Sequence, residues 1–207
     1  MKAKNKLLTL LILSAGAAVT TAGINKAIQF SAISKNFLAE PKPLCFKWRL
    51  GNVYYTKEGT GKPLLLIHDL DTCTSGYEWK QLIPFLSSKY TVYTIDLLGF
   101  GRSEKANMTY TNFLYVQLIS DFIKSEIGHR TSIITSGEAA SIPLMACANN
   151  PDLFDQIMAI NPLSLLDFSS IPGKTAKMYK CMIELPIIGT LLYNIASSKK
   201  MIMEELV

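Results

Sequence analysis

The chain has 207 residues, of which 49% are hydrophobic and 18% are charged. It can therefore bury a core and is neither disordered nor collagen-like. The formal net charge of +5 is concentrated in residues 1–49, which carry eight Lys or Arg against Glu40 alone, while the rest of the chain carries 13 basic and 15 acidic residues. This distribution excludes a basic face for nucleic acid on the folded part.

An uncharged, mostly apolar run from Leu7 to Asn25 follows three lysines at the N-terminus. As a helix, with a rise of about 1.5 Å per residue, this run would cover roughly the hydrocarbon thickness of a bilayer. We therefore predict a single-pass membrane anchor over residues 1–30. The alternative is a signal peptide that is cleaved near Ala15-Gly16-Ala17, followed by secretion.

A linker over residues 31–44, with two prolines, precedes the predicted globular part. Apolar runs and helical periodicity then predict strands over residues 46–50, 52–57, 63–68, 90–97, 131–135 and 154–161, and helices over residues 77–87, 112–127 and 138–150. Alternating strands and helices indicate a mostly parallel sheet with helices on both faces, which we place at residues 45–162. Only helical patterns follow, and we interpret residues 163–207 as a helical cap segment.

Four stretches carry a resemblance to a known family. His68 ends a buried strand, "DLLGFGRS" (residues 96–103) follows the next strand, and "IITSGEAAS" (133–141) and "NNPDLFDQIMAINP" (149–162) come at the expected distances. This order resembles the α/β-hydrolase fold, in the capped branch that includes esterases, lipases and epoxide hydrolases. The resemblance covers roughly residues 46–207 and implies hydrolase ancestry, an ester or acyl-type apolar substrate, and a sheet truncated after the sixth strand.

The nucleophile elbow of this family has the pattern G-x-S-x-G, because small residues must flank a strained turn. Centring the pattern on Gly137 puts Thr135 and Ala139 at the small positions, which fits better than centring it on Ser136. The nucleophile position is then glycine, and Ser136 is a hydroxyl one residue out of place. Glu138 would begin the next helix, where the helix dipole favours a carboxylate.

The residues at the positions of the family's oxyanion hole and of its catalytic acid and histidine also depart from the family pattern. The family usually has His-Gly after the third strand, whereas this chain has His68-Asp69-Leu70-Asp71, and two carboxylates there would oppose a developing oxyanion. His68 is expected to shape this loop, and His129 falls at the opposite end of the sheet. The acid and histidine of the family follow later strands, which would lie beyond Val207.

We therefore expect a membrane-anchored protein of hydrolase ancestry that is catalytically inactive as given, with no cofactor and no metal. No catalytic residue is assigned, and the pocket candidates are His68, Asp69, Ser136, Gly137 and Glu138. A cation site built from Asp69, Asp71 and Glu138 is a further alternative. The expected partners are a membrane, through the N-terminal helix, and an apolar small molecule under the cap, with no nucleic acid.

Three other interpretations of the whole chain remain open at this point. It could be a non-catalytic, membrane-tethered binding module, or the N-terminal part of a longer active hydrolase. The unpaired edge that the last predicted strand would present also allows a gene fragment without a stable fold.

Overall fold

The computed structural model describes residues 2–34, 43–71, 74–163 and 173–196. The chain divides into two compact units, one built from residues 1–37 together with 171–207 and the other from residues 38–170. The helical pattern predicted over residues 163–170 falls almost entirely outside the described residues, as does the chain after residue 196.

A sheet forms the larger unit. In the described part of the chain it contains β1 (Leu44–Trp48), β2 (Gly51–Glu58), β3 (Lys62–Ile67), β4 (Tyr90–Ile95), β5 (Thr131–Ser136) and β6 (Phe154–Ile160). The order across the sheet is β1-β2-β4-β3-β5-β6. Strand β2 runs antiparallel to β1 and β4, and the other neighbouring strands are parallel. The mostly parallel sheet that the sequence predicts is therefore present.

The helices are α1 (Lys2–Ser34), α2 (Ile83–Leu86), α3 (Asn112–Phe122), α4 (Ser141–Asn149), α5 (Lys174–Ile183) and α6 (Ile188–Ala196). Both faces of β3 are covered, because its side chains alternate between two apolar clusters. Leu65 and Ile67 belong to the cluster that includes residues of α3 and α4, and Leu64 and Leu66 pack in a second cluster with Trp79. This explains the continuous apolar run that marks the strand in the sequence.

The helix predicted over residues 77–87 is wrong in its extent. The chain forms a 3₁₀ helix over Gly76–Trp79 and then the separate short helix α2. Ser75 begins the first of these, since its side chain accepts a hydrogen bond from the N–H of Tyr77 at 3.3 Å. Pro84 lies at the start of α2 and has no N–H, so the hydrogen-bond ladder cannot run through it from the preceding turn.

The predicted N-terminal transmembrane helix is also wrong. Residues Lys2–Ser34 do form one helix, but no helix in the described ranges is both long enough and apolar enough to cross a membrane. The helix continues beyond the apolar run through Asn25 and Lys26, so polar side chains interrupt its apolar surface. Cleavage of a signal peptide stays a prediction.

Within the smaller unit, α1 packs against α6 through a buried amide. The side chain of Asn25 donates through Nδ2 to the carbonyl of Ile187 at 3.1 Å and accepts through Oδ1 from Nδ2 of Asn194 at 3.0 Å. Ile187 has φ +68°, a conformation that a β-branched residue rarely adopts. The hydrogen bond from Asn25 therefore helps to hold the turn between α5 and α6.

Candidate functional site

The turn after β5 has the shape of a nucleophile elbow. Strand β5 ends at Ser136, and Gly137 follows with φ +52°, in the left-handed region that glycine adopts without strain. A 3₁₀ turn over Gly137–Ala140 then leads into α4. Thr135 and Ala139, two residues before and after the apex, are fully buried. The apex is therefore occupied by a residue that has no side chain to attack a substrate.

The carboxylate of Asp69 lies against this turn. Its Oδ1 accepts hydrogen bonds from the backbone N–H of Leu70, at 2.7 Å, and from the backbone N–H of Glu138, at 2.8 Å. In α/β-hydrolases, the N–H of the residue after the nucleophile and an N–H of the loop after the third strand form the oxyanion hole. Glu138 follows Gly137, and Leu70 lies in the loop after β3. Asp69 thus holds its own negative charge where an oxyanion would form.

Asp69 also fills the space of the missing side chain. A Cβ atom added to Gly137 would overlap the Cγ and both carboxylate oxygens of Asp69. A nucleophile at position 137 and the observed position of the Asp69 carboxylate are therefore sterically incompatible. The two departures from the family pattern, at positions 69 and 137, are structurally coupled.

His68 is fully buried, and both of its ring nitrogens are hydrogen bonded. The backbone N–H of Leu97 lies 3.0 Å from Nε2, so Nε2 is the acceptor and the proton is on Nδ1. Nδ1 then donates to the carbonyl of Asp69 at 2.6 Å. Burial lowers the pKa of His68, which keeps the ring neutral near pH 7. A neutral ring with both nitrogens engaged is not available to accept a proton from a nucleophile.

The lowered pKa of His68 predicts that the protein loses stability as the pH falls below about 6.5, the pKa of an unfolded histidine. Below that pH the unfolded chain binds a proton that the folded chain does not yet bind, so the free energy of unfolding decreases. In NMR titrations, the His68 ring should keep its Nδ1–H tautomer as the pH falls to about 6.5. Protonation of the His68 ring already above about pH 6.5 would contradict the assignment.

Hydrogen bonds hold both backbone groups of Asp69, its N–H and its carbonyl. Its N–H donates to Oε2 of Glu78 at 3.1 Å, and its carbonyl accepts from Oγ1 of Thr74 at 2.6 Å as well as from His68. Because the peptide groups on either side are held, the carboxylate is directed at the two N–H groups without further rearrangement.

Ser136 and Glu138 flank the apex in different environments. Ser136 is 8% exposed, and its Oγ has no hydrogen-bond partner among the residues that the structure describes. Glu138 is exposed in the first helical turn, where free N–H groups favour a carboxylate. Within the described ranges, no three His, Cys, Asp or Glu side chains are grouped to hold a metal ion. The cation site considered for Asp69, Asp71 and Glu138 therefore gains no support.

A cavity of about 630 Å³ opens over the turn. Its wall includes the carboxylates of Asp69, Asp71, Glu78 and Glu138 and the apolar side chains of Leu70, Ile160 and Leu163. Among the described residues no Lys or Arg lines this cavity. The electrostatic potential inside it is therefore negative.

Asp96 and Arg102 form an ion pair that the sequence analysis does not predict, because "DLLGFGRS" supports the family resemblance by its order and spacing and not by contacts between its side chains. Oδ1 of Asp96 accepts from the N–H of Gly76 at 2.7 Å, and Oδ2 accepts from the backbone N–H and Nε of Arg102 at 2.9 and 2.8 Å. Asp96 is 1% exposed. An Asp and an Arg in one short glycine loop were the signal that could have revealed the pair.

No protein-family model matches the chain. Its curated relatives include the 2-hydroxy-6-oxo-6-(2'-aminophenyl)hexa-2,4-dienoic acid hydrolase of Metapseudomonas resinovorans, which is 27% identical over 114 residues, or 54% of this chain and 39% of that protein. The soluble epoxide hydrolase of a Corynebacterium species is 27% identical over 110 residues, or 53% of this chain and 37% of that protein. The chain thus spans less than half the length of these relatives.

Solved structures resemble the fold over a larger part of the chain. An α/β-hydrolase fold protein from Burkholderia ambifaria superposes with a TM-score of 0.59 and 19% identity, covering 69% of this chain and 53% of that one. A haloalkane dehalogenase of Agrobacterium tumefaciens gives a TM-score of 0.58 and 17% identity, covering 80% and 55%. The resemblance predicted from the sequence is confirmed, and the chain has the α/β-hydrolase fold.

Proposed function

We propose that this chain is a non-hydrolysing protein of the α/β-hydrolase fold, whose site binds a ligand without cleaving it. The observation that carries the proposal is the Asp69 carboxylate on the N–H groups of Leu70 and Glu138. Ester hydrolysis requires a nucleophile and N–H donors that are free to stabilise the oxyanion. Here position 137 is glycine, and both donors are already bound to a carboxylate.

The length of the relatives favours a second candidate, in which the chain is part of a longer active hydrolase. The matched region covers only 39% and 37% of the two relatives, so an acid and a histidine could come from later strands. Such residues would supply a base. They would leave Gly137 and Asp69 unchanged, and the first candidate therefore applies to a longer polypeptide as well.

The cavity wall favours an uncharged, mainly apolar ligand. Leu70, Ile160 and Leu163 provide an apolar surface, in line with the ligand expected from the sequence. The four carboxylates make the binding of an anion unfavourable, because like charges repel. We propose that a small apolar molecule occupies this cavity.

A hydrolase assay tests the proposed function directly. The purified full chain is expected to cleave p-nitrophenyl esters no faster than buffer and to remain unlabelled by a fluorophosphonate. The matched control is Ser136→Ala, which removes the hydroxyl nearest to the apex and should behave identically. Ester turnover by the unaltered chain that disappears in Ser136→Ala would disprove the proposal.

Amide hydrogen exchange tests the position of the Asp69 carboxylate independently of activity. In Asp69→Ala, we expect faster exchange at the N–H groups of Leu70 and Glu138, because both lose their acceptor. Asp71→Ala removes a neighbouring carboxylate of the same cavity and should leave both rates unchanged. Equal rates in all three proteins would show that the carboxylate does not occupy the oxyanion hole.

A further inference from the structure

Helix α5 carries apolar side chains on one side and lysines on the other. At 3.6 residues per turn, an arc of about 140° around the helix holds its large apolar side chains, which are Met178, Tyr179, Met182 and Ile183. An opposite arc of about 120° holds three basic side chains, Lys174, Lys177 and Lys180. No charged residue of α5 falls inside the apolar arc.

The apolar arc of α5 is not buried. Met178 and Tyr179 are 55% and 59% exposed, and Met182 and Ile183 are exposed as well. A surface helix normally buries its apolar side against the rest of the protein, and a contiguous exposed apolar patch marks a binding surface. The side of α5 that the fold leaves uncovered is therefore a candidate binding surface.

Helix α5 is held against α6 by its C-terminal end. The N–H of Gly189 donates to the carbonyl of Leu185 at 2.8 Å. Gly189 also lies so close to the carbonyl of Ile183 that a Cβ atom at position 189 would overlap it. These contacts involve the backbone of the residues that end α5, and they leave the apolar side chains of the helix exposed.

The positions of the lysines indicate the chemistry of the partner. Lys174 lies at one border of the apolar arc, beside Met178, and Lys180 lies at the other border, beside Ile183. A helix at a membrane surface places its apolar arc at the acyl boundary, and lysines on both borders extend to the headgroups. Tyr179 also suits this depth, because its ring is apolar and its hydroxyl is polar.

The charge on the lysine side favours anionic headgroups. Glu184 lies 3.7 Å from Lys180 and offsets part of its charge, whereas Lys174 and Lys177 form no ion pair within the described ranges. A second copy of the chain is a poorer partner. If two α5 helices met through their apolar arcs, the lysines on the borders would face each other, and like charges repel.

We propose that α5 lies on the surface of a membrane that contains anionic lipids, with the apolar arc at the acyl boundary and the lysines at the headgroups. Its ten residues would cover about 15 Å, half of the hydrocarbon thickness, so the helix lies on the bilayer and does not cross it. This surface is separate from the cavity over Gly137, and its role does not depend on whether the chain hydrolyses esters.

Vesicle co-sedimentation of the full chain is the first test. One set of vesicles contains equal parts of phosphatidylcholine and phosphatidylserine, and the other contains phosphatidylcholine alone. The anionic vesicles should bind the chain about tenfold more tightly or better, because each lysine near an anionic surface contributes roughly fivefold in affinity. Sodium chloride screens these charges and should release the chain. Equal binding to both kinds of vesicle, or no binding to either, would overturn the proposal.

A pair of lysine variants assigns the binding to α5. Lys174→Gln/Lys177→Gln removes two exposed charges, and the affinity for the anionic vesicles should fall about tenfold or more. Lys62→Gln/Lys89→Gln is the matched control, because it makes the same change in net charge at exposed positions of the larger unit. The control should bind as the unaltered chain does. An equal loss of binding in both variants would refute the role of α5.

A pair of apolar variants tests the contact with the acyl boundary. Met178→Gln/Met182→Gln changes two exposed side chains, so the fold should be kept, but the affinity for anionic vesicles should fall about tenfold or more. Leu144→Gln/Met145→Gln is the matched control on α4, where both side chains are also exposed. Undiminished binding by the methionine variant would overturn the proposal, since charge alone would then hold the chain on the vesicles.

Fluorescence of Tyr179→Trp reports the depth of the helix. The emission should shift to shorter wavelengths with anionic vesicles and should be quenched by lipids with brominated acyl chains. Trp48 and Trp79 are buried and supply a constant background. An emission that vesicles do not change would contradict the proposal. So would a dimer of the unaltered chain that dissociates in Met178→Gln/Met182→Gln, because the apolar arc would then be covered by a second copy.

Discussion

Replacement of Gly137 by serine is expected to lower the free energy of unfolding by roughly 3–5 kcal/mol. The new Cβ would stand in the left-handed backbone conformation at φ +52° and would overlap the Asp69 carboxylate. The chain must then either distort the turn or expel the carboxylate from the two N–H groups that bind it. Denaturant unfolding of the purified variant measures the loss.

A double-mutant cycle with Asp69→Gly separates these causes. The variant Asp69→Gly/Gly137→Ser has no overlap at position 137, but it also lacks the carboxylate that binds the N–H groups of Leu70 and Glu138. Since the serine of Gly137→Ser already displaces that carboxylate or distorts the turn, the double variant should be about as stable as Gly137→Ser alone. The coupling energy is then expected to exceed roughly 1.5 kcal/mol, whereas independent sites add to within about 0.5 kcal/mol. Asp71→Gly provides the control, because this neighbouring carboxylate does not meet a Cβ at position 137. Additive losses with Asp69→Gly would refute the steric coupling.

Asp96→Asn should destabilise the protein by roughly 3–5 kcal/mol, the usual cost of breaking a buried ion pair. Both carboxylate oxygens accept from N–H donors, Oδ1 from Gly76 and Oδ2 from Arg102. An asparagine amide has one acceptor side and one donor side, so either orientation sets an NH₂ group against an N–H. It also leaves the guanidinium of Arg102 without its counter-charge.

An exposed ion pair gives the comparison for Asp96→Asn. Nζ of Lys180 lies 3.7 Å from Oε1 of Glu184, and both side chains are exposed. Glu184→Gln should change the free energy of unfolding by no more than about 0.5 kcal/mol. The two variants are measured by urea unfolding at pH 7. Similar small effects would show that the Asp96 hydrogen bonds are not needed to hold the loop.

Sequence reasoning succeeded where local pattern and spacing decide the structure. The all-apolar run before His68 predicts a strand buried on both faces, and β3 is such a strand. The small residues Thr135 and Ala139 select Gly137 as the apex, and the backbone of Gly137 has the left-handed conformation of that turn. In both cases the deciding residues are close together in the chain.

The same reasoning failed where the structure depends on contacts between residues far apart in the chain or on a single proline. The hydrogen bond from Glu138 to Asp69 joins residues 69 positions apart, so no local pattern could show the carboxylate inside the oxyanion hole. The predicted helix over residues 77–87 missed the break that Pro84 imposes. The apolar run before Asn25 predicted a membrane span, because the length of the run took no account of Asn25 and Lys26, through which the same helix continues.

The contacts of Asn25 also set an order of events during synthesis. Its two partners, Ile187 and Asn194, are 162 and 169 residues further along the chain. At translation rates of about 5–20 residues per second, roughly 8–34 s pass between the synthesis of Asn25 and the point at which both of its partners have been synthesised. The strands from β1 to β6 all emerge within that interval. The sheet can therefore begin to form while α1 still lacks its partners, and the helical unit is completed after the sheet.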